Sequence, residues 1–226
     1  MVAVLRPVHS RSESAAPVVV AQPSLLGLGP PTIDPGLGDV RRHHIGRGAW
    51  LDHRPGWLEG HQVVFDRLLA EVAWEQHERP MYERMVTVPR LTGARPTAEP
   101  GQVADDLAIV ADMADALGVR YGQSFDRIGY ALYRNGDDSV AWHGDQVARD
   151  LHQAVVATVS VGEPRKFCLR PKHGGRSLSF MLGHGDLLVM GGTCQRTWDH
   201  AVPKVARAGP RIAIMFRPRW PTAPDV

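Results

Sequence analysis

The stretch Ala131-Leu132-Tyr133-Arg134-Asn135-Gly136-Asp137-Asp138-Ser139-Val140-Ala141-Trp142-His143-Gly144-Asp145 decides how the chain is read. Just ahead of it Ile128, Tyr130 and Leu132 alternate, the period of a strand. Asn135–Ser139 is a polar turn. Beyond it, His143 and Asp145 stand two residues apart in extended chain and so point to the same side. Two ligands on one face of a metal ion need that geometry. A His-x-Asp pair by itself is weak, since roughly one arises by chance in a chain like this. A second one is present, His184-Gly185-Asp186. It lies between a strand ending at Leu182 and one starting at Leu187, where Gly-Asp is turn chemistry. His143 and Asp145 are therefore read as ligands and His184 as a hairpin residue.

The third ligand is sought downstream. His200 stands in Trp198-Asp199-His200-Ala201-Val202-Pro203-Lys204, beyond the strand Leu187–Met190. Two histidines and one carboxylate leave three coordination positions open, the facial triad of non-haem iron(II) oxygenases. Zinc accepts the same donors, so a co-substrate anchor must discriminate. The final strand Arg211-Ile212-Ala213-Ile214-Met215-Phe216-Arg217 offers one. Period two puts Ile212, Ile214 and Phe216 on a core face, and Arg211, Ala213, Met215 and Arg217 on the opposite, pocket-side face. Two guanidinium forks there suit the carboxylates of a five-carbon diacid.

Around these motifs the strand period continues through Val155, Ala157, Val159 and Val161, then Phe167 and Leu169, then Leu178–Leu182. Upstream, Val64, Leu68 and Val72 predict a helix closed by Pro80, and Val103, Leu107, Val110, Ala114 and Leu117 predict a second, stopped by Gly118. Met85–Val88 reads as a short strand and Gly93–Gly101 as loop. The fold class is α+β, dominated by β: a closed or sandwiched core of short strands, with helices buttressing one side. Residues 1–40, rich in proline, read as a loosely ordered arm, and 41–226 as a single domain with its core at about 125–219.

The composition is globular, with 226 residues, 43% hydrophobic, 22% charged and a net charge of +2. That balance excludes a strongly basic nucleic-acid coat, yet leaves room for a local basic groove. Two cysteines, Cys168 and Cys194, cannot build a disulfide framework or a multi-thiolate zinc site. No apolar run reaches membrane length, and no signal peptide is evident. A cytoplasmic protein is expected. Only Lys166, Lys172 and Lys204 are lysines, an arginine bias that fits a GC-rich bacterial genome.

Taken together, Ala131–Asp145, Gly185–Gly192, Trp198–Lys204 and Arg211–Arg217 resemble the AlkB family, iron(II)- and 2-oxoglutarate-dependent dioxygenases that oxidatively dealkylate nucleobases. The resemblance covers roughly Met81 to Arg219 and is specific in the order and spacing of its motifs. It implies a double-stranded β-helix, or jelly-roll, core and a nucleotide-recognition lid at about 80–102. It implies iron(II) on His143, Asp145 and His200, with 2-oxoglutarate and O2 as co-substrates. It further implies that Tyr133 and Arg211 hold the distal carboxylate of 2-oxoglutarate, with Arg217 near the carboxylate that chelates the metal.

The chain departs from the family pattern at five places. Ala131 and Ala213 stand where asparagines are usual, and Met215 where threonine is frequent. The lid's Pro89-Arg90-Leu91-Thr92 fits, but Gly93-Ala94-Arg95-Pro96 replaces the aromatic-rich stretch that commonly follows. Relatives of similar spacing carry an acidic residue after the ligand aspartate, where it meets the base edge; here it is Gln146. Gln146 and Arg90 are candidate substrate contacts. Arg165, Lys166, Arg170, Lys172 and Arg176 are candidate phosphate contacts around the mouth, or a solvated hairpin rim.

The expected function is oxidative dealkylation of N-alkylated or etheno-modified bases in DNA or RNA by a monomeric enzyme. The target base is flipped out of the stack or single-stranded, and 2-oxoglutarate is decarboxylated to succinate and CO2. Two alternatives stand beside it. One is an oxygenase of the same fold acting on RNA, a protein side chain or a small metabolite. The other is a silent nucleic-acid-binding module that retains the triad.

Overall fold

A computed structural model describes residues 27–81, 84–94, 108–145 and 153–218. The chain enters as β1 (Thr32–Ile33), β2 (Arg41–Gly46), β3 (Ala49–Arg54) and β4 (Leu58–Glu59). From Gly27 onward the expected loose arm is packed onto the fold. Leu37 is buried in the core, and the Trp57 indole N–H donates to the Asp34 carbonyl at 2.8 Å. The sequence reading missed β1–β4, because Arg41-Arg42-His43-His44 is polar on both faces of its strand.

Helix α1 (His61–Glu71) buries Val64, Phe65 and Leu68. It ends nine residues before Pro80, which corrects the expected terminator. Val72 is extended, with φ −75° and ψ 130°, and turns into the core. Pro80 instead lies in β5 (Glu75–Met81), which pairs with β6 (Arg84–Ala94) at the edge of the large sheet. An edge strand tolerates a residue with no N–H to donate. Gly93 and Ala94, expected as loop, close β6 and pair with Tyr130 and Gly129. Of the expected lid, 80–102, residues 82–83 and 95–102 lie outside the description.

Helix α2 (Ala108–Tyr121) runs through Gly118, a second correction. Gly122 is the residue that turns left-handed, with φ +66°, while its N–H donates to the Gly118 carbonyl. The extra turn carries Tyr121 to the buried Asp52, whose carboxylate also takes a bidentate pair from Arg42 at 2.7 Å.

The remaining elements are β7 (Arg127–Tyr133), β8 (Val140–His143), β9 (Val156–Gly162), β10 (Arg165–Pro171), β11 (Leu178–Leu182), β12 (Asp186–Gly192), the single turn α3 (Cys194–Thr197), β13 (Trp198–Val202) and β14 (Arg211–Arg217). They form an eight-stranded sheet of order β2-β3-β12-β9-β14-β7-β6-β5 and a four-stranded sheet of order β11-β10-β13-β8. Two apolar layers follow from the alternation. Ile212, Ile214 and Phe216, with Val159 and Val161, face α1 and α2. Val156, Leu188, Ala213 and Met190 face Phe167, Leu169 and Val202 of the small sheet. The two facing sheets make a jelly roll, and the residues of interest lie between them. No helix among the described residues is long and apolar enough to cross a membrane.

Candidate metal and co-substrate centre

Strands β8 and β13 are antiparallel partners, and their register sets His143 opposite His200. Their rings stand 4.2 Å apart. Asp145 follows on the same side, so one donor atom from each of His143, Asp145 and His200 lies within 4.8 Å of the others. The Nδ1 of His143 is 2.8 Å from the Ala141 carbonyl, which only accepts. Nδ1 is therefore the donor, and the Nε2 lone pair is left for a metal. Burial and the neighbouring His143 ring push the His200 imidazole down to about 3, which keeps it in the neutral, ligating form. Phe167 lies nearly parallel to it, 5.4 Å between centroids.

Burial alone would raise the Asp145 carboxyl. The Arg217 guanidinium, with the His200 and His143 rings, outweighs that and holds it below the usual range. Asp145 is also fixed through its main chain, since its N–H donates to the side-chain oxygen of Gln195 on α3 at 3.0 Å. Between the two ligands Gly144 leaves no room for a larger residue. A Cβ there would sit 2.7 Å from the Gln195 carbonyl oxygen. The metal-side turn is thus seated directly on the helical turn that precedes His200.

The other His-Gly-Asp is built differently. His184 and Gly185 both take positive φ, +49° and +86°, and Asp186 spends its carboxylate on the backbone N–H groups of Gly56 and Gly183. It is a tight turn between β11 and β12.

Behind the trio lies a cavity of about 260 Å³, lined among others by Tyr133, Thr158, Met190, Arg211, Ala213, Met215 and Arg217. All four residues assigned to the pocket-side face of β14 reach it. Arg211 is 1% exposed and pairs across strands with Tyr133. Its Nε donates to the Ser160 hydroxyl at 2.7 Å, and Tyr133 is its second hydrogen-bond partner. Its Nη1 is buried with no partner among the described residues. A buried guanidinium N–H without an acceptor is costly, and a carboxylate in the cavity would satisfy it. With a neutral His200 imidazole, a His143 Nε2 lone pair left free, an ionised carboxylate and an orphaned arginine donor, the residues fit both iron(II) and 2-oxoglutarate.

Ser160 and Thr158 escaped the sequence reading, although a signal existed. In β9 the core face is Ala157, Val159 and Val161, so a hydroxyl at every second position between them marks the pocket side. Gln195 carried no such signal, because its role depends on the approach of a segment 50 residues away.

Among the expected substrate contacts, Arg90 lines the cavity. Gln146 lies outside the described residues. Arg165 corrects the expectation of a mouth or rim residue. It is 2% exposed and donates to the carbonyls of Asn135, Asp138 and Pro203, each at 2.8 Å. Its place at the start of β10 turns it inward, while Lys166, Arg170, Lys172 and Arg176 are exposed. Arg170 covers the Trp142 ring at 4.5 Å and pairs with Asp199 at 3.4 Å. Lys172 donates to the Gln195 carbonyl at 3.1 Å.

Residues 55–217 match the 2OG-Fe(II) oxygenase superfamily. The chain is 30% identical over 188 residues to bovine alpha-ketoglutarate-dependent dioxygenase alkB homolog 3, covering 74% of this chain and 65% of that protein. The human homologue is 28% identical over the same shares. The chain is also 30% identical over 214 residues to the Arabidopsis thaliana DNA oxidative demethylase ALKBH2, covering 76% and 67%. It thus spans about two-thirds of the length of these relatives. Among solved structures, OsALKBH1 superposes with a TM-score of 0.51 at 16% identity, over 79% of this chain and 100% of that one. A prolyl hydroxylase from Trichoplax adhaerens, in complex with a hypoxia inducible factor peptide, superposes with a TM-score of 0.50 at 12% identity, over 70% and 74%. At such identity the two structures speak for the jelly roll alone. The sequence relatives go further, and with the matched residues they place this chain in the AlkB family of the 2OG-Fe(II) oxygenase superfamily.

Proposed function

We propose that this chain oxidatively dealkylates nucleobases, DNA foremost, and couples the reaction to decarboxylation of 2-oxoglutarate to succinate and CO2. The observation that carries the reading is the sharing of one cavity by the His143–Asp145–His200 trio and the orphaned Nη1 of buried Arg211. The relatives named as DNA oxidative demethylase and alpha-ketoglutarate-dependent dioxygenase support the substrate class.

His143, Asp145 and His200 would hold iron(II), and Tyr133 and Arg211, the latter seated by the Ser160 hydroxyl, the tail carboxylate of 2-oxoglutarate. Iron bound there with 2-oxoglutarate and O2 supplies the oxidant that an N-alkyl carbon requires. The chain's own work is positional. Arg217 compensates the charge of Asp145. Phe167, Val202 and Met190 keep the cavity apolar on the sides away from the carboxylates. Arg90, the lining residue contributed by β6, stands where an incoming nucleotide would present its phosphate or base.

Gln146 deepens the substrate reading. A base methylated at adenine N1 or cytosine N3 is cationic and keeps an exocyclic amine, which a carboxylate would favour. Etheno adducts are close to neutral and lack that amine, whereas a glutamine NH2 can donate to a ring nitrogen. The chain is therefore expected to be shifted toward etheno adducts by several-fold compared with relatives carrying an acid at this position, the size of one neutral hydrogen bond, about 0.5–1.5 kcal/mol. Gln146→Asp should shift turnover toward 1-methyladenine, and an unchanged ratio would refute this refinement alone.

The test of the main proposal is anaerobic titration with iron(II) and 2-oxoglutarate, followed by succinate release on a panel of substrates. The panel holds methylated and etheno-modified DNA and RNA oligonucleotides, a peptide and small 2-oxo acid metabolites. Release driven by modified DNA supports it. Binding of both ligands with no response to any modified nucleic acid would overturn the substrate class while leaving the oxygenase intact.

A further inference from the structure

The Tyr133 end of the cavity is backed by more positive charge than one carboxylate anchor requires: Arg211 lines it, and Arg165 lies against Tyr133 without lining it. Arg165 and Arg211 are 2% and 1% exposed, and their guanidinium carbons lie 5.6 and 5.2 Å from the Tyr133 ring centre. Neither makes a carboxylate ion pair among the described residues. Arg165 donates only to neutral carbonyls, those of Asn135, Asp138 and Pro203. Of the two carboxylates in that turn, Asp138 is committed to the side chain and N–H of Arg134, and Asp137 makes no ion pair with Arg165. Arg211 has only the hydroxyls of Ser160 and Tyr133. Each arginine also keeps one buried donor without a partner, Nε of Arg165 and Nη1 of Arg211. Two buried cations on one aromatic ring, felt by Asp138 and Asp186 but ion-paired with neither, are costly unless a ligand brings further negative charge.

Arg165 is tied to the site by more than charge. Its three acceptors belong to the turn that follows Tyr133 and to the residue that follows β13, so one guanidinium joins the strand of the tail anchor to the strand of His200. Resting on the oxygenase reading above, we propose that Arg165 is a positioning residue of the co-substrate site. It acts through Tyr133, and its charge adds to that of Arg211, so that the site selects a 2-oxo acid with a second carboxylate over one with a neutral tail.

The experiment uses the full chain stripped of metal, so that binding is read apart from turnover. Calorimetric titration compares glutarate, 2-oxoglutarate and 2-oxovalerate, the last having a methyl group in place of the tail carboxylate. The intact chain should bind 2-oxoglutarate about a hundredfold more tightly than 2-oxovalerate, the effect of two charges in a partly desolvated site. Arg165→Gln should weaken glutarate about tenfold. Arg165→Lys, which keeps the charge with fewer hydrogen bonds, should return it to within about threefold. Cobalt(II) affinity at the His143–Asp145–His200 site should be unchanged in both.

Equal glutarate binding by Arg165→Gln and the intact chain would overturn the inference. So would equal loss in the Gln and Lys variants, which would make Arg165 a structural tie only. If Arg165→Gln does not fold, the ligand series on the intact chain decides, and a preference of tenfold or less refutes a second cation. An intact chain that binds no dicarboxylate without metal would overturn this inference, whereas the oxygenase reading stands or falls on the titration with iron(II) and 2-oxoglutarate.

Discussion

Arg217 grips Asp145 across 72 residues of chain, Nε to Oδ2 at 3.2 Å and Nη2 to Oδ1 at 3.4 Å. The pair joins the end of β14 to the His143-Gly144-Asp145 turn. It gives Arg217 a role beside the metal ligand itself, on the same face as Arg211 at the other end of the strand. Replacing Arg217 by Gln leaves a 9% exposed carboxylate without its cation. Groups that support a metal ligand are typically worth 10- to 100-fold in metal affinity. Arg217→Gln should therefore weaken cobalt(II) binding by about that factor in spectroscopic titration, with the melting temperature little changed.

The two His-Gly-Asp segments should separate cleanly by mutation. His143→Ala, Asp145→Ala and His200→Ala are each expected to abolish succinate production and metal binding. His184→Asn should keep both, because asparagine tolerates the positive φ of 49° found there. Activity lost in His184→Asn but kept in His143→Ala would reverse the assignment.

Arg211→Met should raise the apparent 2-oxoglutarate requirement about a hundredfold or more, because a charge-assisted pair to a carboxylate is lost from a buried site. Affinity for cobalt(II) in the absence of 2-oxoglutarate should stay within a few-fold. The split between the two titrations checks that Arg211 serves the co-substrate.

Asp138 supplies a pH dependence away from the metal. Burial raises its carboxyl, but the hydrogen bonds from the Arg134 side chain and N–H outweigh burial and hold it below the ordinary 3.8. A depressed folded value means that the stabilisation is present above the unfolded pKa and is lost as pH falls through the folded one. Asp138→Asn should cost about 2 kcal/mol at neutral pH. The melting-temperature gap to the intact chain should stay constant down to about pH 5 and close below about pH 4.

The jelly-roll strands were legible because each carries its own period. In β14 and β9, apolar residues at every second position fix both the strand and its pocket face. The candidate metal trio was legible because His143 and Asp145 share one short extended segment. What escaped depends on chain meeting chain. Polar β2 and β5 show no period and gain their structure by pairing with β3 and β6. Gly118 is the stop that the apolar spacing suggests, and Tyr121 reaching Asp52 carries the helix past it. Arg165 reads as a rim charge in a Lys/Arg-rich segment, since nothing local announces three backbone carbonyls converging on it from two other segments.

The glycines of the two His-Gly-Asp segments give the sharpest contrast. Gly144 has no positive φ, so its backbone admits alanine. The added Cβ would meet the Gln195 carbonyl oxygen at 2.7 Å and the Lys172 Nζ at 3.0 Å. Lysine can swing away, but the Gln195 backbone cannot move without α3, which leads directly into β13 and His200. The strain therefore falls on the spacing between ligands. Gly185 has φ +86°, and its Cβ would come 2.1 Å from the Leu58 carbonyl oxygen. That contact is backbone against backbone in a left-handed turn, and the strain falls on how β12 and β4 meet. Gly144→Ala should reduce cobalt(II) affinity about tenfold or more, with a melting temperature within about 4 °C of the intact chain, the equivalent of roughly 1 kcal/mol at this size. Gly185→Ala should lower the melting temperature by considerably more, corresponding to about 3 kcal/mol, while the protein that remains folded binds cobalt(II) normally. Thermal melts and metal titrations on the two variants suffice. A large stability loss with normal metal binding in Gly144→Ala would show that the His143-Gly144-Asp145 turn is structural and that its seat on Gln195 does not set the ligand geometry.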